Sequence, residues 1–162
     1  MHGHPPHHQV MTQPAFQHAM EVRNMNHVPV DSSGKRDWSH GCCSSMCDGC
    51  AMCCCATWCP CIAYGKIKSR VAHLERNNYP HPSGGDICTT DCWLHGCLSS
   101  FCALGWVLQI GLRSSIRNRY RIGGCGGCGD CWCSMCCTPC SLAQESLELE
   151  LEEHALKGAG KF

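Results

Sequence analysis

The chain has no net charge: thirteen lysines and arginines balance thirteen aspartates and glutamates. Binding to a phosphate backbone needs a surplus of positive charge, so a nucleic-acid partner is not expected. Also missing are a Walker-type phosphate loop, a GxSxG elbow and an HExxH helix. The glycine run from Gly123 to Gly129 has intervals close to a phosphate loop, but cysteines interrupt it and no lysine follows in place. No enzyme is expected. The opening stretch, MHGHPPHHQVMTQPAFQHAM, puts prolines and histidines where a secretory signal would need a continuous apolar run. The expectation is therefore a set of reduced thiols facing the cytosol rather than a disulfide framework.

What is present in excess is cysteine, 20 residues of 162. Three clusters hold most of them: Cys42, Cys43, Cys47 and Cys50; then Cys53, Cys54, Cys55, Cys59 and Cys61; then Cys125, Cys128, Cys131, Cys133, Cys136, Cys137 and Cys140. Six pairs have two intervening residues, from Cys47–Cys50 to Cys137–Cys140. That interval lets two sulfurs reach one tetrahedral ion at about 2.3 Å. Thiolates are soft, so zinc, cadmium or cuprous ions suit them better than magnesium or calcium. The metal ligands expected on this ground are Cys125, Cys128, Cys131, Cys136, Cys137 and Cys140.

Charge and punctuation divide the rest. Residues 1–36 are rich in His and Pro and read as a disordered tail, followed by a Cys-rich domain over 37–156 and a short tail at 157–162. Two uncharged hydrophobic segments lie at about 49–65 and 92–112. The second is long enough at helical rise to cross a bilayer, but it is interrupted by Ser, Gln, His and Gly. Pro60 would break a helix through the first. The basic residues that follow each segment would lie on opposite faces if both crossed, which argues that at least one does not. The loop NNYPHPSGGD separates them, and one long helix is expected over Cys92–Arg121.

At the end, Ser141 and Gln144 have the spacing of a capping box, Leu142, Leu149 and Leu156 recur at a heptad interval, and acidic residues fill much of the remainder. An amphipathic acidic helix is expected over about 141–156, ending at Gly158. It would either recruit a protein partner or cap its own domain. The fold class expected is mainly α: a small Cys-rich, membrane-associated domain of short helices, with irregular Cys/Gly-rich stretches.

Cys53, Cys54, Cys59, Pro60 and Cys61 spell CCxxxxCPC. Trp38 and Gly41 precede them, Tyr64 and Gly65 follow, and Arg119, Tyr120, Ile122, Gly123, Asp130, Cys131 and PCSLAQE from Pro139 come in order. Over about residues 38–153 this pattern resembles the placenta-specific-eight family, which includes plant cadmium resistance proteins, cell number regulators and cornifelin. One departure is Leu147 before Glu148, where the family commonly has arginine. The resemblance implies a membrane-associated homo-oligomer, placed at the plasma membrane with its thiols on the cytosolic side. It also implies soft-metal handling, with zinc or cadmium bound or moved, or else a regulatory role in cell number. On the same basis, the CCxxxxCPC residues are expected at the first hydrophobic segment, with Cys53, Cys54, Cys59 and Cys61 as metal ligands there.

Overall fold

Proline and left-handed residues cut this chain into helices. The computed structural model describes residues 19–42, 44–123, 132 and 134–159. Its main helices are α1 (Ser45–Asp48), α2 (Cys50–Trp58), α3 (Pro60–Asn77), α4 (Thr90–Cys102), α5 (Gly105–Tyr120) and α6 (Thr138–Ala159). Among the described residues there is no strand, only isolated bridges joining Val30 to Arg36 and Arg36 to Ile122. The mainly helical expectation stands.

Both hydrophobic segments are helix, break, helix. The first is cut at Cys59 (φ −138°), with Pro60 starting α3, where its missing N–H costs nothing. The second was expected to run unbroken to Arg121. It stops at Ala103, whose φ of +54° ends α4, and the chain restarts as α5 at Gly105. Among the described residues no helix is long and apolar enough to cross a membrane.

The C-terminal helix also starts earlier than its sequence suggests. It begins at Thr138, with Pro139 in its first turn, and continues to Ala159. Ser141 and Gln144 are therefore inside the helix. Their side chains are used for tertiary hydrogen bonds to Arg113, at 3.2 and 2.8 Å, instead of for capping. A cap of the expected kind does occur at α4, where the Thr89 hydroxyl accepts from the Cys92 N–H at 3.1 Å, a bond worth about 1 kcal/mol.

The apolar core runs along α3 at helical spacing, through Ala63, Tyr64, Ile67, Val71 and Leu74. Leu112, Ile116 and Tyr120 of α5 meet it, with Leu142 and Leu149 of α6. The heptad leucines thus face this chain's own core, and Leu156 packs against its edge. Each such burial stabilises the fold by about 1.5–3 kcal/mol.

Residues 19–36, expected as tail, are tied to the helices. Arg36 is 3% exposed, its N–H donates to Arg121 O, and its carbonyl accepts from Gly123 N at 2.7 Å. Arg23 reaches Glu152 at 3.1 Å. The segment 1–18 and Cys43, Cys125, Cys128, Cys131 and Cys133 lie outside the described residues.

Candidate functional site

The break at Cys59–Pro60 makes an elbow. Cys54 and Cys59 are exposed there, Cys55 and Cys61 are half-buried, and Cys53 is buried against the bundle. One turn beyond Cys61, Gly65 lies against α4: a Cβ at Gly65 would be 2.9 Å from Cys92 Cβ. In turn, a Cβ at Gly96 would be 3.6 Å from Cys61 Cβ. Cys61 and Gly65 on α3 thus face Cys92 and Gly96 on α4, and two small residues from each helix allow the close crossing.

That crossing collects thiols. Cys92 and Cys61 are in hydrogen-bond contact, and burial, then Cys61, Cys88 and Cys59, push the Cys92 thiol up to about 11. Burial likewise raises Cys55. Lys66 opposes that shift, while Cys59 and Cys61 add to it. Several thiols in one place resist ionising together, and a bound cation removes that resistance by stabilising the thiolates.

The ten expected ligands do not come together as one group. Cys53 and Cys54 lie on different sides of α2, one buried and one exposed. Cys136 is exposed, and Cys137 is disulfide-bonded to Cys140 with Cα atoms 5.4 Å apart. Disulfide sulfurs are not thiolate ligands, so that pair would have to be reduced before taking an ion. Cys125, Cys128 and Cys131 are outside the described residues. Among the described residues no three His, Cys, Asp or Glu side chains are already arranged to hold a metal. Cys88 and Cys92 belong to no pair with two intervening residues. Their four-residue spacing at the start of a helix was the available signal.

The other motif residues build a polar spine along α6. Glu145 and Gln144 meet Arg113 at 3.4 and 2.8 Å, and the Arg113 guanidinium lies 4.2 Å above the Trp38 ring. Glu148 accepts from Arg36 at 2.9 Å and from the Ser39 N–H. Glu152 accepts from Arg119 at 2.7 Å and from the Tyr120 hydroxyl at 2.7 Å. Glu153 takes Arg70 in two bonds of 2.8 and 3.0 Å. Burial opposes ionisation of Glu152, but Arg119, Tyr120 and Arg23 hold its carboxyl below the ordinary range. Leu147 packs its Cδ1 toward Gly49, and residues 141–149 are all buried.

A family model described as the PLAC8 family matches residues 38–148, from the Trp38 that covers Arg113 to the Glu148 that holds Arg36. The chain belongs to the PLAC8 family. This PLAC8 chain is 32% identical over 128 residues to cell number regulator 7 of Zea mays, a match covering 75% of this chain and 64% of that protein. It is 30% identical to cell number regulator 9 of Zea mays over 146 residues, covering 86% of this chain and 75% of the other. Cell number regulator 11 of Zea mays is 33% identical over 132 residues, covering 80% and 73%. The chain thus spans less than two thirds of the length of cell number regulator 7. No solved structure matches.

Proposed function

We infer that this PLAC8 protein binds soft divalent metal, zinc or cadmium, at the cysteine elbow while attached to a membrane surface, and that it contributes to metal resistance as a homo-oligomer. The observation that carries the reading is the gathering of thiols around the α2–α3 break: Cys59 and Cys61 are within electrostatic reach of Cys55 on one side and of Cys92 on the other, where Cys88 also reaches Cys92. Cys59 and Cys88 are exposed, Cys55 and Cys61 half-buried and Cys92 buried, so an ion arriving from solvent meets Cys59 or Cys88 first. The metal is cargo in this account. Binding requires the thiols to turn toward a common centre and lose their protons.

Membrane attachment draws support from α4. Trp93, Cys97 and Phe101 recur every four residues on one exposed stripe, at 71% exposure for Trp93 and 85% for Phe101. Large exposed aromatics of this kind suit the boundary between headgroups and acyl chains.

The test is the cadmium retained by metal-sensitive cells expressing the chain or its Cys59→Ser, Cys61→Ser variant. Lower retention with the unaltered chain, lost in the variant, is the expected result. Equal retention in the two contradicts metal handling at the elbow.

A second reading, a zinc-stabilised adaptor acting in cell number control without transport, is favoured by the cell number regulators among the relatives. A partner reading α6 would meet its exposed positions Glu150, His154 and Lys157, because residues 141–149 are internal. Removing the whole helix would unfold the spine, so the informative variant is Glu150→Lys with Lys157→Glu. Lost regulatory function with unchanged metal content would favour the adaptor, and retained function would count against it.

A further inference from the structure

Behind the elbow, between the end of α4 and the start of α5, lies a cavity of about 360 Å³, within the size range of small-molecule sites. Thr57, Ser99 and Thr138 contribute hydroxyls to its lining, and two buried side chains, Gln109 and His95, contribute the remaining polar groups. Gln109 is fully buried, yet neither its amide nitrogen nor its amide oxygen has a hydrogen-bond partner. His95 is 2% exposed. Its ring stacks on Tyr64 with centroids 4.7 Å apart, its Nδ1 faces the Ser99 hydroxyl at 3.4 Å, and its Nε2 is unpartnered. Buried polar atoms left in this state cost about 1–3 kcal/mol each, so three in one cavity call for an explanation.

The surroundings restrict what could satisfy them. The lining includes Pro60, Trp106 and Pro139, which are apolar, and no Asp, Glu, Lys or Arg among the described residues. Burial lowers the His95 pKa, so the imidazole is neutral at pH 7. The backbone closes in at Gly105: a Cβ there would collide with Ser99 Oγ and stand 3.2 Å from His95 Nε2. A fixed ionic charge would therefore be placed in an uncharged, partly apolar site with no counter-ion, which is costly. An uncharged group with a donor beside an acceptor would instead pair with both ends of the Gln109 amide, leaving His95 Nε2 for a third bond.

We propose that the cavity is a binding site for a small uncharged molecule with an amide-type head on Gln109 and His95 and a short apolar body against Pro60, Trp106 and Pro139. The site is separate from the thiols of the elbow and needs no metal.

Benzamide is the probe, with benzoate as its charged counterpart, titrated into the full chain under reducing conditions with a chelator present and followed by ligand-observed NMR. The variant is Gln109→Leu, of similar size and without the polar atoms. Benzamide should bind the unaltered chain, benzoate should bind about tenfold or more weaker, and Gln109→Leu should weaken benzamide by a similar factor. The variant should also keep or raise the unfolding temperature, because it removes a buried amide that has no internal partner. Four results would overturn the proposal: no benzamide binding to the unaltered chain, equal binding of benzoate, equal binding of benzamide to the variant, or a variant that melts earlier. The last would mean that the amide serves the fold alone.

Discussion

The α6 spine and the cysteine elbow are built on opposite terms. Along the spine, Glu148, Glu152 and Glu153 are almost fully buried and each meets an arginine within 3.1 Å, with hydroxyls taking further acceptor positions. At the elbow, reactive groups are crowded together with little besides one another for company, and Cys54 and Cys59 face solvent. Carboxylates matched to arginines hold one arrangement, whereas thiols crowded together resist ionising, a resistance that a bound cation would remove. The difference separates what holds this PLAC8 fold from what is free to act.

The largest effect should come from the spine. Glu152→Gln takes the carboxylate from the buried Arg119 and the half-buried Arg23 and should lower stability by about 3–5 kcal/mol, read as a fall in the urea midpoint. Cys59→Ser should change the same midpoint by about 0.5 kcal/mol or less, because its side chain is exposed. Equal losses from the two variants would erase the distinction.

Between these extremes is the helix crossing that assembles the elbow. Gly65→Ala places a methyl group 2.9 Å from Cys92 Cβ and 3.0 Å from Thr89 Oγ1, so α3 and α4 must separate. A loss of about 1–3 kcal/mol is expected, together with weaker cadmium binding, checked by denaturation and by metal titration on the same samples.

Acid should act on the spine first. Glu152 has its pKa held below the ordinary value of 4.5, so below that value the unfolded chain takes up a proton that the folded chain still refuses. Stability present at neutral pH is therefore lost progressively as pH falls through and beneath 4.5 toward the folded-state value. Urea midpoints measured between neutral and acid pH should show this fall, reduced in Glu152→Gln.

The smallest effect on stability should come from the outer stripe of α4. Replacing Trp93 and Phe101 together by serine should shift stability by about 0.5 kcal/mol or less, yet should clearly reduce partition onto lipid vesicles measured by co-sedimentation. Undiminished partition would remove α4 from the proposed contact.

How much of this was legible in the sequence varied with the chemistry. The helical class, the break before Pro60 and the loop around Gly84 and Gly85, both at positive φ, followed from local rules. The break at Ala103 was not legible, because alanine is a strong helix former and only tertiary packing places it at positive φ. The heptad leucines and acidic residues of α6 were visible as a pattern. Their partners were not, since Arg36, Arg70, Arg113 and Arg119 come from distant segments. Ser141 and Gln144 resembled a cap but were needed for Arg113. Within the elbow, Cys59 and Cys61 were marked by the CCxxxxCPC resemblance, while Cys88 and Cys92 joined them only through the close crossing at Gly65 and Gly96.

The most direct test is a cadmium titration of the reduced, purified chain and its Cys59→Ser, Cys61→Ser variant, following thiolate-to-metal absorbance and helical circular dichroism together. The account predicts that the variant loses the absorbance and keeps the helical signal, because it assigns the proposed ligands to the elbow and the support of the fold to the spine. Cadmium absorbance unchanged in the variant, or helical structure lost with the two thiols, would contradict it.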